Sequence, residues 1–309
     1  MQEAVNFYSW GCKIAGVLHI PDNYAPGQRR PAVVMSHGMA NDRDESGQHT
    51  FLAKKLEGTG YVVLRFDFRG CGLSGAPRGR MLIGTEWPQD LRSAITYLSL
   101  RPEVDPEQIG AVGSSWGGGV TAYTAATDKR IKAAVSLAGP ASGERWLRHQ
   151  WVAQHGEDGW GRFLADVAVD RERRIRGEPS KVVRLIGGFI PVEPEQIPFF
   201  DEFLAAHPIM VSDVPLEVAD DVLFFWPEEM ANRIAPTPIR YIHGTADPVV
   251  DPQEAKVLYE RSGEPKDLRL IEDGIHQLLS PGDSGEDKAN ETADLVLEWL
   301  EKYLSWKEV

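Results

Sequence analysis

The chain has 309 residues, so at roughly 150 residues per domain it holds about two folding units, or one large core with an insertion. Lys plus Arg is 33 and Asp plus Glu is 46, a net charge of −13, which argues against nucleic-acid and anionic-membrane partners because both repel such a surface. No apolar run reaches the ~20 residues of a membrane-spanning helix, the first residues lack a basic secretory start, and Cys12 and Cys71 are too few for a disulfide framework; the expectation is a soluble, reduced, cytoplasmic globular protein.

Five strands are predicted before residue 140: Lys13–Ile20, Pro31–His37, Tyr61–Asp67, Gln108–Ser114 and Ile131–Ala138. Most are nearly continuous in apolar residues, as strands covered on both faces are. Between them, spacings of three and four predict helices at Thr50–Glu57, Trp87–Leu100 and Trp116–Thr127. Such alternation implies an α/β fold with a mostly parallel sheet. From Pro140 to Ala235 the alternation stops. That segment, expected to be a helical insertion, carries four of the nine tryptophans and the run Asp170–Arg176, which reads as a solvated helix face. Phe199, Phe200 and Phe203 read as its core. The alternation resumes with a strand at Pro238–Gly244, a helix at Pro252–Ser262, a strand at Leu268–Glu272 and a helix at Asp287–Leu304. The core is therefore expected over 1–139 and 236–309, with 140–235 inserted.

Gly113-Ser114-Ser115-Trp116-Gly117 stands where a predicted strand gives way to a helix, the setting of a nucleophile elbow. A serine hydroxyl needs a neighbouring base, itself oriented by a carboxylate, and in this architecture acid and histidine follow the serine in that order. Two histidines lie in the resumed sheet region. His243 comes too early to follow an acid; His276, just past Leu268–Glu272, is the expected base. Asp247, beyond Pro238–Gly244, is the expected acid, its alternative role being an Asx turn, whereas Asp251 before Pro252 reads as a helix cap. Oxyanion donors are expected from the backbone N–H groups of Trp116 and of Met39 in Ser36-His37-Gly38-Met39. His37 reads as a loop-shaping residue. Trp146 and Trp151, taken to flank one helical turn, are the expected substrate contacts.

With Ser36-His37-Gly38, Phe51-Leu52-Ala53 and the run Gly60–Gly75, these motifs resemble the serine α/β-hydrolase superfamily, and within it the cinnamoyl/feruloyl esterases and related acyl-hydrolases and serine peptidases. The resemblance spans the sheet region and implies an eight-stranded, mostly parallel sheet, a lid over the serine and no cofactor. Met39 stands where the family often has Phe or a small residue, and 140–235 is longer than the short cinnamoyl-esterase lid. The function so implied is hydrolysis of a carboxylic ester through an acyl-enzyme. An amidase or peptidase and a carbon–carbon bond hydrolase use the same triad, and a non-catalytic binding module on this scaffold is the remaining class. The expected partner is a small-molecule ester or amide, with no metal, nucleic acid or membrane; a homodimer stays open.

Overall fold

A computed structural model describes residues 1–77, 79 and 86–304. Gln2–Ser9 (β1) and Cys12–His19 (β2) form an antiparallel hairpin whose turn residues, Trp10 and Gly11, both have positive φ, as a two-residue type I′ turn requires. β1 is additional to the strands expected from the sequence. Only Val5, Phe7 and Ser9 turn inward, so this one-sided edge strand lacks the apolar run of its neighbours.

The expected order then follows: Arg30–Ser36 (β3), Gln48–Gly58 (α1), Val62–Phe66 (β4), Trp87–Ser99 (α2), Val104–Ser114 (β5), Trp116–Thr127 (α3) and Ile131–Leu137 (β6). Every residue of β3 and β4 is buried, which is why their sequences do not alternate. Beyond β6 comes Gly143–Ile175 (α4), broken at Gly156 where φ is +66°. Val182–Arg184 (β7), Ile197–Ala206 (α5), Asp213–Pro215 (β8) and Val218–Leu223 (α6) complete the stretch. It is mostly helical, with a ribbon formed by β7 and β8. The arginine run ending α4 does more than face water: Arg171 and Arg174 both pair with Asp220 on α6, at 2.5 and 2.6 Å. The chain closes with Ile239–Gly244 (β9), Gln253–Arg261 (α7), Lys266–Ile271 (β10), Pro281–Ser284 (α8) and Glu286–Tyr303 (α9).

Among the described residues, eight strands form the main sheet in the order β1-β2-β4-β3-β5-β6-β9-β10, parallel from β4 to β10. This is the α/β-hydrolase fold. Leu91 and Val120 from α2 and α3 belong to one core cluster, and Leu52, Leu56, Val296 and Leu300 from α1 and α9 to the other. Each such side chain removed from water contributes about 1.5–3 kcal/mol. The register pairs Ser36 with Gly113, Leu137 with Ile242, and Gly244 with Ile271. The loops leaving β3, β5, β9 and β10 therefore share one sheet edge, where open α/β sheets hold ligands. No described helix is long and apolar enough to cross a membrane.

Candidate active site

Ser115 joins β5 to α3 with φ +53° and ψ −127°, a strained conformation costing about 1–3 kcal/mol. Its N–H donates to the Leu137 carbonyl at 2.8 Å, which pins the elbow to β6. The glycines make the close approach possible: a Cβ at Gly117 would lie 2.1 Å from the Ser36 carbonyl oxygen and 2.5 Å from that of His37. Both obstacles are backbone, so Gly117→Ala is expected to lower stability by about 3 kcal/mol or more in denaturant unfolding. A loss below ~1 kcal/mol would show that the turn is looser than this.

The loops after β9 and β10 bring Asp247 and His276 together, His276 Nδ1 to Asp247 Oδ2 at 2.7 Å. The two oxygens of Asp247 make different contacts. Oδ1 accepts the Val249 and Val250 N–H groups at 2.8 and 3.0 Å, closing an Asx-type turn, while Oδ2 faces histidine. A second histidine shares it: His243 Nε2 lies 3.1 Å from Oδ2 and 2.9 Å from the Val250 carbonyl. That carbonyl can only accept, so Nε2 carries the proton. Burial opposes ionisation of Asp247, but the electrostatic pull of His276 beside it and the hydrogen bonds from His243 and His276 outweigh it and hold the carboxyl well below the usual carboxylate range. Asp251 instead accepts the Gln253 N–H at 2.8 Å at the start of α7.

Ser115 and His276 line one cavity of about 510 Å³, together with Met39 and Trp116. The loop after β3 presses on the serine, since a Cβ at Gly38 would lie 2.9 Å from Ser115 Cβ and 3.2 Å from its Oγ. The Gly38 N–H is already engaged by Glu45 Oε2 at 2.5 Å. The Met39 N–H meets no acceptor among the described residues, and the Trp116 N–H, at the first position of α3, has no intrahelical acceptor. Glu45 also lines the cavity, a position that no sequence motif marks. His37 shapes this loop: Nε2 accepts the Phe68 N–H at 3.0 Å and Nδ1 faces the Gly38 carbonyl at 2.8 Å.

Burial lowers the His37 pKa to about 4, so the ring stays neutral. A histidine whose folded value is depressed binds fewer protons folded than unfolded. Its contribution to stability is therefore present above pH ~6.5 and falls as the pH drops toward 4. Imidazole NMR is expected to show His37 as the neutral Nδ1–H tautomer at pH 6; a titration centred near 6.5 would contradict the burial argument.

The two tryptophans expected to contact substrate part company. Trp146 lines the cavity, packs edge-to-face against Trp116 at 5.4 Å and donates Nε1–H to the Val249 carbonyl at 2.8 Å. Trp151 does not line it; its ring stacks on Phe163 at 4.7 Å and its N–H reaches the Phe189 carbonyl. Positions five apart on a helix differ by roughly 140°, so one face cannot present both. Of the phenylalanines expected in the insert's core, Phe199 is largely exposed and Phe200 lines the cavity, while the side chain of Phe203 lies outside the described residues. Leu185, Ile186, Ile190 and Val192 extend the apolar wall, and no Lys or Arg lines the cavity among the described residues.

The chain has relatives among known proteins. Polyketide transferase ATR5 of Stachybotrys chlorohalonatus is 26% identical over 271 residues, 85% of this chain and 87% of that protein. The structure of the alpha/beta hydrolase GrgF from Penicillium superposes with a TM-score of 0.80 at 22% identity, covering 99% of this chain and all of the other. Est1E of Butyrivibrio proteoclasticus, solved with ferulic acid bound, gives a TM-score of 0.69 at 16% identity over 96% of this chain and 99% of that one. Residues 27–283 match the model of the serine aminopeptidase S33 family of hydrolases, and the chain belongs to that family.

Proposed function

We propose that this hydrolase cleaves a carboxylic ester through an acyl-enzyme formed on Ser115. The observation that carries the reading is the 2.7 Å Asp247–His276 hydrogen bond beside a cavity into which the strained Ser115 turn opens. Ser115 Oγ attacks the acyl carbonyl carbon while His276 Nε2 takes its proton, and Asp247 keeps the imidazole's other proton on Nδ1. The oxyanion is held by the N–H groups of Met39 and Trp116. As the ester bond breaks, His276 passes its proton to the departing alkoxide oxygen. It then deprotonates a water, which displaces Ser115 and releases the acid. We read 140–235 as the lid that shapes the acyl pocket, since Trp146, Leu185, Ile190 and Phe200 of this segment line it. Both cysteines are buried and neither forms a disulfide among the described residues, which fits a reduced, cytoplasmic setting.

An aminopeptidase must also hold a substrate ammonium with an ionised carboxylate. Among the described residues two acids line the cavity: Glu45, which burial pushes up to about 8 and so keeps protonated at neutral pH, and Glu193, whose side chain already caps the following helical turn. That favours the neutral ester. Similarity to ATR5, a polyketide transferase, favours one variant, transfer of the same acyl group to an alcohol in place of water. Stopped-flow mixing with p-nitrophenyl acyl esters tests the reading. A burst of one nitrophenolate per active site followed by slower turnover is expected; hydrolysis with no acyl-enzyme detectable by burst or by mass in quenched samples would overturn it.

A further inference from the structure

Glu45 has no part in that mechanism, and its placement is costly. It stands at φ +47°, followed by Ser46 at +53°, two consecutive non-glycine residues in the left-handed region. This turn drives a carboxyl to 4% exposure beside the nucleophile. Oε2 accepts the Gly38 N–H at 2.5 Å. A Cβ at Gly38 would lie 2.7 Å from Glu45 Oε1 and 3.2 Å from Ser115 Oγ, so both oxygens flank the same point of the loop. No cation pairs with Glu45 among the described residues; the neighbouring Arg43 is bound to Asp67 at 2.9 Å.

We propose that Glu45 is a positioning residue for acyl transfer: its carboxyl clamps Gly38 against Ser115 and so aims the Met39 N–H at the developing oxyanion. The inference rests on the acyl-enzyme reading. By taking the Gly38 N–H, the clamp leaves Met39 as the next amide able to serve the oxyanion. The clamp works only as a neutral acid, since an ionised carboxylate at this distance would repel the oxyanion that the loop must stabilise. The surroundings favour the neutral form. Burial is the main cause, the Gly38 N–H opposes it, and Asp42 on the same loop adds to it. His37 at the end of β3 is neutral, and His276 lines the same cavity. The proton is held up to about pH 8, so kcat is expected to fall as the pH rises through that value.

Glu45→Gln keeps an acceptor for Gly38 and cannot ionise; Glu45→Ala removes the clamp. With p-nitrophenyl esters at pH 7, E45Q is expected within ~3-fold of the parent kcat, and E45A ~10- to 100-fold lower with KM within ~3-fold, the scale of a misaimed oxyanion donor. The alkaline limb near pH 8 is expected in the parent and absent in E45Q. An E45Q profile that keeps this limb, or an E45A kcat within 3-fold of the parent, overturns the clamp. If E45A does not fold, the E45Q profile alone decides. Burst amplitude in the parent protein separates the two levels: a burst with no effect of Glu45 defeats only this inference, whereas no acyl-enzyme at all defeats the reading beneath it.

Discussion

Ser115→Ala is expected to lower kcat toward p-nitrophenyl esters by ~10⁴- to 10⁶-fold while leaving the thermal midpoint within a few degrees. The reason is local. The hydroxyl is presented by a backbone conformation that few non-glycine residues adopt, on a turn fixed by the Leu137 carbonyl and by the approach of Gly117 to β3. Removing Oγ leaves that turn and the Met39 and Trp116 amides in place, so residual activity would measure what oxyanion stabilisation and binding supply alone. His276→Ala belongs in the same range because a serine without its base is not ionised at neutral pH. A loss under tenfold in either variant would remove that residue from the chemistry.

Asp247→Asn is expected to cost ~10³- to 10⁴-fold in kcat, with KM little changed. The hydrogen bonds decide which way an asparagine amide must turn. Val249 and Val250 both present N–H groups to Oδ1, so the amide oxygen stays there and the NH₂ group faces His243 and His276. A donor toward His276 Nδ1 favours the opposite tautomer, which puts the proton on Nε2 and disables the base. His243 cannot substitute for the lost carboxylate, because its Nε2 already carries a proton toward Val250. Single-turnover acylation is the measurement. A loss under tenfold in the acylation rate would mean that the carboxylate does not orient His276.

The parts of this molecule that can be read from residues are those governed by local pattern. β3, β4, β6, β9 and the second half of β5 are largely apolar runs bounded by turn residues, and the Gly-x-Ser-x-Gly turn lies at the strand–helix junction. Chain order then singles out His276 among the histidines, and the cap reading of Asp251 leaves Asp247 as the expected acid. The rest depends on packing between distant residues. β1 hides because only alternate side chains are buried, and β7 and β8 because three residues each make no pattern. Glu45 ends the polar run Asn41-Asp42-Arg43-Asp44-Glu45, where no local pattern marks burial; its burial against Gly38 and Ser115 is a tertiary event. His243 lies within a buried strand end, and its contact with Asp247 depends on the turn that follows β9. Trp151 misleads for a simpler reason, the angular offset of five residues on a helix.

If Ser115 is the nucleophile, its hydroxyl alone among many is activated by its surroundings. Incubating the protein with a fluorophosphonate and mapping the adduct by peptide mass spectrometry tests this most directly. A single phosphonylated residue, Ser115, is expected, with labelling abolished in His276→Ala. Modification of another serine, or labelling of Ser115 at an undiminished rate without His276, would contradict it.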